Sequence, residues 1–232
     1  MSHWSKVRVE FNEIVNRHFD SPEYHRLFSV KLTPARKQIL DIHHPHYIKS
    51  RRDCWAASMN KAPLDVKRAI WEHEKDELIY DKRMDGAHLT DEDMAKATAE
   101  ANLLPGAKAA LWAWFYLSTT RSWIESLTIN HTTERKNNSE VVKGGGFTTR
   151  MALKRVQDLG GTVETLDRDT QVHMTADIDH SDMFEPIYEK YIVDEQTGRA
   201  VLQAARDSLD LDRAYRGALA SAMMEIGDSK AA

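Results

Sequence analysis

Apolar residues recur every three or four positions along most of this chain, which is the spacing of an amphipathic helix. Helix starts are marked by Thr33-Pro34, where a capping side chain precedes a proline, and by Thr90 ahead of three acidic residues. Pro45 should bend or end the second helix. The pattern predicts helices over about residues 4–19, 34–45, 46–59, 64–84, 107–133, 147–159, 166–193 and 199–226, with a further one beginning near residue 91.

One long stretch, residues 107–133, is hydrophobic around most of its circumference, which is typical of a central helix buried on all sides. With only 10 glycines and 6 prolines in 232 residues, long helices are favoured over many short strands. No repeat and no linker divides the chain. We therefore predict an all-α fold of seven to nine helices, in a single domain that covers residues 1–232.

Composition narrows the function classes. The net charge of −4 provides no basic field for nucleic acid, and no apolar run is long enough to span a membrane. Cys54 is the only cysteine, so no disulfide framework exists. The first residues are too polar for a signal peptide. We therefore expect a cytoplasmic protein that binds neither nucleic acid nor a membrane and that could form a homodimer.

The most informative pattern is His173, Asp177 and His180, in the spacing His-x3-Asp-x2-His. On a helix with about 3.6 residues per turn these positions share one narrow stripe, so two imidazoles and a carboxylate point the same way. This mixture suits iron, manganese or zinc, and with open positions it suits redox iron in particular. A solvated polar face is the alternative interpretation.

Acids in an apolar helical context are candidates for the remaining ligands, because metal sites in helical bundles draw on several facing helices. Glu74, Glu77 and Asp81 share one helix face at positions i, i+3 and i+7. Glu134 follows the long apolar segment, and Glu125 lies on a similar azimuth nine residues earlier. Each of these acids could instead be an ordinary surface residue.

Taken together, a Glu-bearing helix, a second Glu some sixty residues later and a terminal His-x3-Asp-x2-His resemble the heme-oxygenase-like di-iron oxidases and oxygenases. Proteins of the pyrroloquinoline-quinone synthase type and thiaminase-II-like proteins are related to this family in scaffold. The resemblance extends over about residues 32–191. It implies a heme-oxygenase-like helical bundle that holds two ferrous ions and uses O2 as a co-substrate.

The resemblance also implies a ligand set. Its terminal motif corresponds to His173, Asp177 and His180, and its upstream helix carries a Glu followed seven residues later by a His. In this chain that seventh residue is Asp81, with Glu77 and His88 as alternatives to it. Glu134 fits the intervening Glu by spacing better than Glu125. The set implied by the resemblance is Glu74, Asp81, Glu134, His173, Asp177 and His180.

The activity implied by the resemblance is oxidation of a small, amino-acid-derived substrate in specialised metabolism. The reaction types include N-oxygenation, desaturation, C–C cleavage and nitrile formation. Two other classes stay open. One is a metal-independent, thiaminase-II-like enzyme on the same scaffold. The other is a non-catalytic helical interaction protein, in which the histidines and acids are surface residues.

Overall fold

The computed structural model describes residues 2–81, 87–99 and 103–227. These ranges contain eleven α-helices and a short 3-10 turn at Val163–Thr165, which confirms the all-α class. The helices are α1 (His3–His18), α2 (Pro22–Ser29), α3 (Pro34–Lys61), α4 (Leu64–Tyr80), α5 (Asp91–Ala99), α6 (Pro105–Thr120), α7 (Trp123–Asn137), α8 (Phe147–Leu159), α9 (Arg168–Asp182), α10 (Glu185–Tyr191) and α11 (Glu195–Glu225).

Several predicted boundaries differ from the observed ones for local reasons. Pro45 lies inside the continuous helix α3 and does not end it. The predicted helix over 107–133 is divided, because Ser122 and Glu125 form a capping box that begins α7. The predicted helix over 166–193 is likewise divided into α9 and α10, and α2 was not predicted. The described ranges therefore hold more helices than the seven to nine expected.

Helix α7 is the centre of the molecule, because it packs against α1, α3, α6, α8, α9 and α11. Every residue from Ser126 to Lys136 is buried, although most of them are polar. The predicted central helix is therefore only the second part of the segment 107–133. The first part, α6, is partly exposed, with Trp112 and Tyr116 on the surface. Because a buried polar group must be paired to avoid a free-energy cost, the neighbours of α7 have to supply partners.

The connection between α7 and α8 requires glycine. Gly144 and Gly145 adopt φ angles of 82° and 95°, which side-chain-bearing residues rarely adopt. At Gly146 a Cβ atom would lie 1.8 Å from the Asn137 carbonyl oxygen, so no side chain fits. These residues place the start of α8 against the end of α7. As a result the Thr148 hydroxyl reaches Asp177 on α9, at 2.8 Å.

A buried ionic network joins the outer helices to α7. Asp212 on α11 accepts a 2.9 Å hydrogen bond from the Lys136 ammonium, and its other oxygen lies 2.9 Å from His18 Nε2 and is bonded by the Tyr24 hydroxyl. All four side chains are almost fully buried. Burial lowers the pKa of Lys136 to about 8, against the attraction of Asp212. The fold depends on Asp212 because it compensates this buried cation.

None of the helices in the described ranges combines the length and the hydrophobicity that a bilayer crossing requires.

Removal of the Asp212 carboxylate should be strongly destabilising. Asp212→Ala leaves the Lys136 charge buried without a counter-ion, so we expect the free energy of unfolding to fall by about 3–5 kcal/mol. Asp210→Ala, at an exposed position of the same helix, should change it by less than about 0.5 kcal/mol. Urea denaturation of both variants measures the difference. Equal losses in the two variants would contradict the role assigned to Asp212.

Candidate metal centre

Three helices bring four metal-ligating side chains together in the interior. His73 and Glu77 extend from α4, Glu134 from α7 and His180 from α9. One ligand atom of each residue lies within 4.8 Å of the ligand atoms of the other three, and all four residues are buried. Ligand atoms bound to a single ion at about 2.1 Å are at most about 4.2 Å apart. A small contraction of the group would therefore complete a metal site.

Helix α9 presents the predicted stripe toward this group. The carboxylate of Asp167 caps the helix by accepting a 2.8 Å hydrogen bond from the Thr170 amide. Asp177 and His180 are buried on the inner face, and His173 is partly buried beside them. The prediction that these three residues share one face is therefore confirmed. Their stripe faces α4 and α7, as a site shared between helices requires.

Helix α4 turns His73 and Glu77 inward, because residues four apart lie on one helix face. The His73 ring is fully buried between Trp55, His180 and Phe184, with ring-centre distances of 4.5, 4.7 and 5.9 Å. Its Nδ1 lies 3.0 Å from a carboxylate oxygen of Glu74. Since a carboxylate can only accept, Nδ1 donates to Glu74. Histidine ligands to metals are commonly oriented in this way.

Glu77 stands between the two histidines of α9. Its Oε1 lies 3.0 Å from His180 Nδ1 and 4.0 Å from His173 Nδ1, while its Oε2 accepts a 2.6 Å hydrogen bond from Arg52. One carboxylate oxygen thus faces both ends of the His-x3-Asp-x2-His stripe. Glu77 therefore connects the four-residue group with His173 on the facing helix.

His173 and Asp177 form a second pair of potential ligands beside the four-residue group. Their Nδ1 and Oδ1 atoms are 3.1 Å apart, and the other oxygen of Asp177 accepts the hydrogen bond from Thr148. The far nitrogen of the His173 ring, Nε2, lies 3.4 Å from Asp169. His173 is therefore held at both nitrogens by carboxylates. Nδ1 faces the centre, and Asp169 can orient the ring from behind.

Arg52 compensates part of the negative charge. It donates to Glu74 at 2.9 Å and to Glu77 at 2.6 Å, and its Nε lies 4.0 Å from Asp81. Five carboxyl groups surround the centre with side chains less than 15% exposed: Glu74, Glu77, Asp81, Glu134 and Asp177. When the histidines are neutral, these five carboxylates and Arg52 together carry a net charge of −4.

The donor atoms fit divalent metal ions. Within the described ranges His73 Nε2 is buried without a hydrogen-bond partner, and the nearest oxygen of Glu134 lies 3.8 Å away. A buried imidazole nitrogen that faces a carboxylate across such a gap is a geometry that a metal cation could complete. Two imidazole nitrogens and two carboxylates suit iron, manganese or zinc. The group could therefore hold a metal ion.

Protons occupy these positions when metal does not. Burial opposes a charge on His73, yet its interactions with Glu134 and Glu74 raise its pKa to about 9. For His173 the carboxylates of Asp169 and Asp177 likewise outweigh burial and raise the pKa to about 12. Burial would raise the pKa of Glu134, but His73 lowers it to about 2. A metal ion would therefore have to displace protons from the two imidazoles.

The structure brings part of the predicted ligand set together. Glu134, His180 and the alternative Glu77 belong to the four-residue group, whereas Asp81 lies outside that group. Asp81 follows the end of α4 at Tyr80, because the helix stops before the predicted residue 84. Glu74 follows His73 in the sequence and accepts a hydrogen bond from its Nδ1. It therefore orients the His73 ring without being part of the four-residue group.

Two weaker candidates lie elsewhere. Glu125 closes the capping box at the start of α7, and His88 is exposed beyond α4. His73 was not predicted, although it lies four residues before Glu77 in the sequence. That His-x3-Glu spacing was the available signal, and it repeats the His173–Asp177 spacing on the facing helix.

A cavity of about 790 Å³ reaches the centre from one side. Glu77, Glu134, His173 and Asp177 form part of its wall, and much of the remainder is apolar. This volume is within the range of small-molecule sites, which are usually about 300–1,000 Å³. A small molecule in the cavity would therefore lie directly against the ligand residues.

No protein-family model matches this chain, and no characterised protein was found to be similar to it in sequence. The resemblance to heme-oxygenase-like di-iron proteins accordingly stays a prediction.

The stability of the chelator-treated protein should fall as the pH rises. The pKa of His73 is about 9 in the folded protein, against an ordinary histidine value of 6.5. Its stabilising contribution is therefore complete below pH 6.5 and is lost as the pH rises through about 9. We expect a loss on the order of 1 kcal/mol per pH unit in this interval, measured by thermal unfolding.

The metal-loaded protein should show the opposite trend, because metal binds more tightly as the imidazoles lose their protons. His88→Gln serves as a control that leaves both profiles unchanged, since His88 is exposed. A chelated protein whose stability is constant from pH 6.5 to 9.5 would contradict the proton occupancy described for His73.

Proposed function

We propose that this protein is a non-heme di-iron enzyme that uses O2 to oxidise a small, amino-acid-derived substrate. The observation that carries the proposal is the position of Glu77. It belongs to the buried group with His73, Glu134 and His180, and the same oxygen faces His173 on the adjacent ligand group. A carboxylate between two His-containing groups is the arrangement expected for a pair of metal ions in a helical bundle.

Charge balance supports two ions over one. The five buried carboxylates and Arg52 leave four uncompensated negative charges when the histidines are neutral. Two divalent cations would cancel that charge. One divalent cation would leave two negative charges in the interior, or one when His173 keeps its proton, and an unpaired buried ion costs several kcal/mol. Hard carboxylate ligands together with imidazole favour iron or manganese over softer ions.

Other residues of the protein would orient the metal ligands and exclude water from the site. Carboxylate-rich iron pairs supply electrons and open coordination positions for O2 chemistry. Glu74 keeps the His73 ring oriented, and Thr148 keeps Asp177 oriented, through the hydrogen bonds already described. Trp55 and Phe184 pack around His73 and exclude water from that side. The cavity admits the substrate from the opposite side, against Glu77 and Glu134.

The proposal includes a heme-oxygenase-like scaffold and a cytoplasmic location. The scaffold is supported by the all-α fold and by Glu134 facing the His180 end of the α9 stripe across the bundle. A reducing cytoplasm suits a protein whose only cysteine, Cys54, is buried and unpaired. O2 is the co-substrate, and two ferrous ions are the cofactors.

Metal analysis after anaerobic iron loading tests the proposal. We expect about two irons per chain, and O2 consumption that a member of a panel of amino acids, amines and fatty acids accelerates. Bound iron without accelerated O2 consumption would leave a metal-binding protein of another class. A wild-type protein that binds neither iron, manganese nor zinc above background would contradict the proposal and favour a metal-independent enzyme or an interaction protein.

Substitutions should separate ligands from supporting residues. Glu77→Gln should remove more iron than Asp81→Asn, because Glu77 faces both ligand groups whereas Asp81 follows the helix end. His73→Gln should release at least one iron per chain, and the exposed control His88→Gln should release none. Iron content is measured by mass spectrometry on folded, size-selected protein. Greater iron loss from Asp81→Asn than from Glu77→Gln would restore the ligand set predicted from the sequence.

A further inference from the structure

Arg51 is a buried cation in the wall of the cavity, and no carboxylate of the described residues pairs with it. Its side chain is only 3% exposed. Nη2 donates to the side-chain and main-chain oxygens of Asn130, at 2.5 and 3.3 Å. Within the described ranges Nε and Nη1 are buried without a hydrogen-bond acceptor. An arginine keeps its charge at any physiological pH, so these donors call for an anion.

Arg216 brings a second cation to the same wall. Its guanidinium lies over the rings of Phe147, Tyr47 and Tyr215, at 4.3, 4.9 and 5.0 Å. Its Nε is 3.5 Å from Asp212, which already compensates Lys136. Tyr47 lies one helical turn before Arg51 on α3 and beneath Arg216. Both arginines therefore line the cavity together with Tyr47.

Positive charge is in excess around this wall. Asp212 is the buried acid that contacts Lys136 and Arg216, and Arg51 contacts no carboxylate of the described residues, so these three cations exceed that one acid by two charges. The lowered pKa of Lys136 agrees with this, because burial and repulsion from Arg216 and Arg51 oppose the attraction of Asp212. A cavity wall with uncompensated positive charge attracts an anion.

We propose that Arg51 and Arg216 bind the carboxylate of the substrate, whose apolar remainder fills the cavity. The inference rests on the proposed function, since it names the substrate class of the same site. The apolar part of the cavity wall includes Leu27, Leu40, Ile48, Phe147, Met151 and Leu219. Such a wall disfavours a highly hydrated polyanion and suits a single carboxylate on a hydrocarbon or aromatic body.

The arrangement would also place the substrate against the metal centre. Arg51 bonds to Asn130, which lies one helical turn before Glu134 on α7. The next residue of α3, Arg52, bonds to Glu74 and Glu77 instead. Consecutive arginines thus serve different parts of the site. Arg52 balances the ligand carboxylates, and Arg51 holds the substrate carboxylate about one turn of helix away.

Binding of a matched pair of probes tests the inference in the wild-type protein. Titration calorimetry compares 3-phenylpropionate with 3-phenylpropionamide, which has the same shape without the charge. We expect the carboxylate to bind about tenfold more tightly or better, since charged hydrogen bonds are the stronger ones. The preference should persist in chelator-treated protein, because the arginines and not the metal hold the anion. Equal affinity for the two probes in both preparations would overturn the inference.

Variants locate the anion site. Arg51→Met and Arg216→Met should each reduce the preference for the carboxylate by about fivefold or more. Arg51→Lys, which keeps the charge, should recover part of it. Arg199→Met, at an exposed position of α11, is the matched control and should retain the full preference. If Arg51→Met does not fold, the wild-type probe comparison still decides the question. A folded Arg51→Met with an unchanged preference would place the anion elsewhere and overturn the inference.

Iron content measured on the same samples separates the two proposals. Arg51→Met should bind as much iron as the wild type, because Arg51 contacts none of the ligand residues. Wild-type protein that binds no metal but prefers the carboxylate would contradict the di-iron function and leave the anion site intact. Wild-type protein that binds iron but shows no preference for the carboxylate would contradict the anion site and leave the di-iron function intact.

Discussion

Glu77 and Glu134 carry negative charge into the interior of a helical bundle, where an uncompensated ion costs several kcal/mol. Much of the architecture meets that constraint. Arg52 bonds to Glu77, His73 lies between Glu74 and Glu134, and His180 closes on Glu77 from α9. The charges that remain are those that two divalent ions would neutralise. The central helix α7 can be polar and buried at once because its neighbours supply such partners.

Charge is separated along the interior. The carboxylates gather where α4, α7 and α9 meet, whereas Lys136 and Arg216 contact Asp212, and Arg51 contacts Asn130. The cavity touches both regions. A substrate with an anionic end would be oriented by this separation, since only one region attracts it. In the proposed enzyme, positioning of the substrate and activation of O2 would fall to different side chains of one continuous site.

The parts of the site that depend on local periodicity could be predicted from the sequence. His173, Asp177 and His180 lie on one stripe of one helix, so their spacing sufficed. The choice between His73 and Glu74 could not be made in this way. The two residues are adjacent, and which of them turns inward depends on packing against Trp55 and Phe184 from distant segments. The break in the segment 107–133 could have been predicted from Ser122 and Glu125, which have the spacing of a capping box. The apolar residues on both sides of this pair favoured one continuous helix instead.

Diffraction at the iron absorption edge, from crystals of anaerobically iron-loaded protein, tests the central claim most directly. The account predicts two anomalous peaks on either side of the Glu77 carboxylate. One should lie among His73, Glu134 and His180, and the other beside His173 and Asp177. A single peak remote from Glu77, or no peak in crystals whose protein retains its fold, would contradict a di-iron centre in this position.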